Sequence, residues 1–131
     1  MSHPTFDAEM LLDHRASHGE LGVVEITVPA RWPGPGLHHH AFHEAWYALE
    51  GRLTFQLDDD LFDAGPGSLT FARGGRHHTL ANLTDEPARY LLMITPAGFE
   101  RRFAAEGLTE AEASDPKTAT TFVGPSIPDR R

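Results

Sequence analysis

Nine histidines occur in 131 residues, and six of them fall in two short clusters, at 38–43 and 77–78. Imidazole is the commonest metal ligand and titrates near neutral pH, so clustered histidines point to metal binding or proton transfer. In an extended strand, residues two apart share a face. His38 and His40 therefore point the same way and can chelate one ion, and Glu44 has the same parity. His78, arriving from a separate hairpin, would complete a set of three imidazoles and one carboxylate. Such a set suits one borderline divalent metal per chain: iron, manganese, nickel, copper, cobalt or zinc. Four protein ligands leave coordination positions open, so the ion is available for catalysis, with Glu44 as the acid–base group. His39, His43 and His77 have the opposite parity and face away. The histidines are internal and flanked by patterned sequence, unlike a terminal tag.

The rest of the composition narrows the chemistry. Cysteine is absent, which removes disulfides, thiolate nucleophiles and sulfur ligands. A formal net charge of −8, with no block of Lys or Arg, argues against nucleic acid and anionic membranes as partners. Hydrophobic residues at 40% and charged residues at 23% indicate a globular chain, and 131 residues suit one domain. Met1 to Met10 shows no basic stretch followed by an apolar run, so a cytoplasmic location is expected.

The elements that must position these ligands are short strands. Val23 to Val28, Glu44 to Leu49, Arg52 to Leu57, Ser68 to Phe71, His77 to Leu83 and Ala88 to Thr95 are rich in aliphatic and aromatic residues. Turn-forming residues separate them: Pro33 to Gly36, Glu50-Gly51, Asp58 to Asp60, Gly65 to Gly67, Gly74-Gly75 and Thr84 to Pro87. Many short strands without long intervening helices predict an all-β sandwich or barrel. Trp46 and Ala48 share the parity of Glu44 and are candidates to line the pocket. Phe99 and Phe103, four apart, suit a short helical stretch, and Thr109 with Glu112 suits a capping box that Pro116 would end. Lys117 to Arg131 reads as an extended tail anchored by Phe122, Val123 and Ile127.

Two motifs carry a family resemblance. His38-His39-His40, three residues, Glu44, six residues and Gly51 resemble the first motif of the cupin superfamily. Gly67, Gly75, His78 and Asn82 are spaced as in its second motif, and Ala88 to Glu100 resembles the end of quercetin-dioxygenase-like single-domain cupins. The resemblance covers about residues 20 to 99 and implies a jelly-roll β-barrel core followed, over 100–131, by a short helix and tail. Two positions depart from it. Trp32 stands where the first motif has Gly, and Arg73 stands where the second has Pro. Arg73 is either a harmless exposed residue or one that steers an anionic substrate, and Asn82 is expected to bond a turn.

The resemblance implies a metal-dependent dioxygenase acting on a small phenolic or enolic substrate. A redox-neutral isomerase, lyase or cyclase on the same site, or a non-catalytic small-molecule-binding protein, are the alternatives. Similar small cupins commonly dimerise, so a homodimer is expected, with the tail from Lys117 as a segment that could lie across the partner.

Overall fold

Alternating burial along the central strands follows from alternating side-chain character. In Gly22–Val28, residues Val24, Ile26 and Val28 point inward, and in Ala88–Thr95 the inward residues are Ala88, Tyr90, Leu92 and Ile94. Each large apolar side chain so buried contributes roughly 2 kcal/mol. The computed structural model describes residues 6–104 and 107–128. Its strands are β1 (Asp7–Leu12), β2 (Gly22–Val28), β3 (His38–His40), β4 (His43–Glu50), β5 (Leu53–Leu57), β6 (Asp60–Ala64), β7 (Leu69–Ala72), β8 (His78–Ala81), β9 (Ala88–Thr95) and β10 (Thr120–Phe122). They form two antiparallel five-stranded sheets, ordered β1-β2-β9-β4-β7 and β10-β3-β8-β5-β6. Val24, Ile26, Trp46, Leu92 and Ile94 of the first sheet pack with Leu53, Phe55, Leu57 and Leu80 of the second in one core. This is the expected all-β jelly roll.

All six strands read from the sequence are present, with ends shifted by a residue or a few. The extended segment read at His38 and His40 is β3, and three others went unread. β1 and β6 lie at sheet edges, and β10 places three tail residues against β3, pairing Thr120 with His40 and Phe122 with His38. The tail therefore docks on its own barrel. Ile127 is buried there, whereas Phe122 and Val123 are 63% and 45% exposed.

Phe99–Phe103 forms a 3-10 turn, tighter than the expected helical stretch. Helix α1 (Glu110–Ser114) opens with the anticipated capping box: Thr109 accepts from the Glu112 N–H, and Glu112 accepts from that of Thr109. It stops before Pro116. Among the described residues no helix is long and apolar enough to cross a membrane.

Candidate metal centre

His38 and His78 lie opposite each other as the single registered pair between β3 and β8. Glu44 enters from β4, which belongs to the other sheet. The four side chains thus reach one point from both walls of the barrel. One ligating atom from each of His38, His40, Glu44 and His78 lies within 4.8 Å of the other three. All four are buried: His38 is 9% exposed, His40 4%, Glu44 6% and His78 1%.

The hydrogen bonds fix which nitrogen faces the centre. Nδ1 of His38 donates to the Gly36 carbonyl at 2.7 Å, that of His40 to Phe42 at 2.9 Å, and that of His78 to Arg76 at 2.9 Å. A carbonyl can only accept, so each Nδ1 carries a proton and each Nε2 of a neutral ring presents a lone pair. Yet Glu44 Oε1 lies 2.5 Å from His40 Nε2 and 3.0 Å from His78 Nε2. Lone pairs facing a carboxylate at these distances repel unless a positive charge lies between them. A proton can serve, and so can a divalent cation, to which all these atoms are natural donors. The residues therefore fit a metal ion.

Electrostatics leaves the donors ready. Burial pushes His38 down from its ordinary 6.5 to about 4, against the opposing pull of the Gly36 carbonyl, so the ring is neutral at physiological pH. Burial pulls the Glu44 carboxyl upward, but in the metal-free site hydrogen bonds and charge from His40 and His78, with a proton on the Nε2 that faces it, outweigh burial and hold it at about 2.

The three other clustered histidines lie off this point. The His39 and His77 rings stack on each other, 5.1 Å between centroids. His43 Nδ1 accepts the Gly74 N–H at 2.7 Å, which ties β4 to the loop before β8. Gly74 must be glycine there, because a Cβ would collide with the Ala41 carbonyl oxygen. Gly34, at φ +71°, brings its backbone against that of Leu80, where a Cβ would also collide. It supplies a close approach next to the first-motif position that Trp32 fills.

A cavity of about 410 Å³ opens onto His38, Glu44 and His78. Trp46 lines it, 5.4 Å from the His78 ring, and packs on Phe55. Ala48 is buried on the same face of β4 but does not line the cavity. Arg73 does not line it either. It borders a separate depression with Asp58, Gly74, Gly75 and Arg76. Asn82 is fully buried and bonds the turn before β9: it donates to the Pro29 and Glu86 carbonyls and accepts from Thr84.

Several cavity residues escaped the sequence reading. Trp32, Phe99, Arg102, Phe103 and Phe122 come from loops, the 3-10 turn and β10, where no strand parity marks a facing direction.

A family model described as a cupin domain matches residues 24–95. The chain is a cupin. Solved structures similar to this cupin include a predicted oxalate decarboxylase from Thermotoga maritima, at 22% identity and a TM-score of 0.64, covering 70% of this chain and 80% of that one. A Cupin 2 conserved barrel domain protein from Salinispora arenicola aligns at 24% identity and a TM-score of 0.60, covering 77% and 84%. KdgF from a Halomonas species aligns at 16% and 0.61, covering 71% and 80%. At these identities the likeness to this cupin is one of fold. No curated protein matches it.

Proposed function

We propose that this cupin is a metal-dependent, oxygen-using oxidoreductase acting on a small phenolic or enolic substrate, in the manner of quercetinase-like dioxygenases. The observation that carries the reading is the convergence of three Nε2 atoms and an ionised carboxylate at one cavity with aromatic walls. His38, His40, Glu44 and His78 would hold the ion. Bound there, a divalent transition metal would supply Lewis acidity toward a substrate oxygen and, if redox-active, an electron path to dioxygen.

The chain's own groups supply the rest. Glu44, ionised at neutral pH, can accept the proton of a substrate hydroxyl that reaches it. The carbonyl bonds to each Nδ1 keep the imidazoles from turning. Trp46, Phe99 and Phe122 present apolar surface against which a planar ring can stack, and that surface keeps bulk water away from the reacting oxygen.

The second reading is redox-neutral, a lyase or isomerase. It draws on the same ionised Glu44 beside imidazoles, a pairing able to relay a proton without dioxygen. Elemental analysis of the purified protein, joined to dioxygen uptake over flavonols, catechols and β-diketones, tests both. One metal per chain with substrate-dependent uptake is expected. Product without uptake would favour the second reading, and binding without any product would overturn both.

A further inference from the structure

The cavity holds polar groups that ligation does not use. Arg102, in the 3-10 turn, is the one Lys or Arg among the described residues lining it. Its neighbour Arg101 is taken up by an ion pair with Glu112. Arg102 has no carboxylate partner among the described residues, and its guanidinium sits 5.9 Å from the centroid of the Phe99 ring, itself part of the cavity wall. Tyr90, 3% exposed, also lines the cavity, near enough to Glu44 to feel its charge, and its hydroxyl meets no hydrogen-bond partner among the described residues. Burial, and secondarily the charge of Glu44, pushes that phenol far up, so it stays protonated and can donate.

The walls between are aromatic. Phe6 packs on Trp32 at 5.9 Å and on Phe103 at 6.3 Å, and Phe122 lies against the His38 ring at 5.6 Å. An unpaired guanidinium recognises carboxylates in particular, through parallel N–H donors. A phenol hydroxyl that faces a cavity without a protein partner is free to donate to a ligand oxygen.

We propose that the cavity binds an aromatic acid, with its carboxylate against Arg102, its ring between the aromatic walls and a phenolic or enolic oxygen near Glu44 and Tyr90. This rests on the reading of the cavity as a substrate site and names the substrate class. Arg102 is then the residue that selects acids over neutral aromatics. Tyr90 donates to the phenolic or enolic oxygen.

Isothermal titration calorimetry on the metal-loaded protein tests this, with 4-hydroxycinnamate, its amide and cinnamate as probes. The acid should bind at least roughly 10-fold more tightly than the amide, the scale of one charge-assisted pair. Arg102→Gln should abolish that preference while metal content stays at the wild-type level. Tyr90→Phe should weaken 4-hydroxycinnamate and leave cinnamate unchanged. No binding of 4-hydroxycinnamate by the wild type, equal binding of acid and amide, or an acid preference that survives in Arg102→Gln would overturn the assignment. The last result would place the carboxylate on the metal instead. Unchanged binding of both phenol and non-phenol by Tyr90→Phe would remove Tyr90 from it. Binding as expected with neither dioxygen uptake nor product would overturn the proposed activity and leave the ligand class standing.

Discussion

An imidazole ligates only through an unprotonated nitrogen, and in this protein the backbone chooses which one. The carbonyls of Gly36, Phe42 and Arg76 each capture an Nδ1–H, leaving Nε2 for the centre. Strand parity was enough to read His38 and His40 as one face, whereas Glu44 shares their parity but reaches the centre from the other sheet, so its place was carried by the spacing of the first motif. The carbonyl partners were not legible, because they depend on how the chain turns before β3, between β3 and β4, and before β8. His78→Ala or His40→Ala should lose bound metal by elemental analysis, with affinity falling by more than the roughly 10- to 100-fold typical of residues that only support a ligand. His39→Ala, which removes a ring stacked on His77, should keep it. The pH response follows from His38 and Glu44. Folded His38 holds its proton less tightly than the unfolded chain does, so the unfolded state binds more protons from about pH 6.5 down to about 4. Stability of the metal-free protein should therefore fall across that window, by on the order of 3 kcal/mol from this group. Glu44 adds a second loss below about 4.5, complete once pH passes about 2. Urea unfolding between pH 8 and 4 would show the first loss, and a flat profile would contradict it.

Most strands that were legible bury one face and β8 buries both, whereas the ones missed bury little. In β6 the residues Asp60, Leu61, Phe62 and Asp63 are all exposed, so no alternation marks it. β1 buries no residue fully, and β10 is too short for a period to show. The 3-10 turn was foreseen from Phe99 and Phe103, but its anchor was not. Glu100 is completely buried and accepts N–H bonds from His14, at 2.8 Å, and from Gly98. Gly22 lies so close that a Cβ there would come within 2.5 Å of the carboxylate. This one residue fastens the turn carrying Phe99, Arg102 and Phe103 to the loop after β1. In Glu100→Gln the new amide must point N–H groups at a backbone donor, which should cost about 1–3 kcal/mol. Urea unfolding would register that loss, and faster hydrogen exchange over residues 99–103, with metal content unchanged, would locate it.

At the scale of the whole molecule, the outer face of the first sheet is unusually apolar toward its β7 edge. Leu69 and Phe71 are 63% and 53% exposed, and Tyr47, registered opposite Leu69 on β4, is 38% exposed. Adjoining apolar surface of this kind on an edge strand suits burial against a second copy. Wild-type protein should sediment as a dimer at micromolar concentration, and Leu69→Lys with Phe71→Lys should give a monomer that still binds metal. A wild-type monomer would count against this interface. β10 edges the other sheet. It lays the stretch around Thr120 to Phe122 alongside two of the ligands, yet it contributes none of them. The barrel and the tail can therefore diverge at different rates: the four donors tolerate almost no change, while a three-residue strip held largely by main-chain pairing can be rewritten freely. Exchanging tails between related barrels would then alter what enters the cavity while the chemistry at its floor is inherited intact.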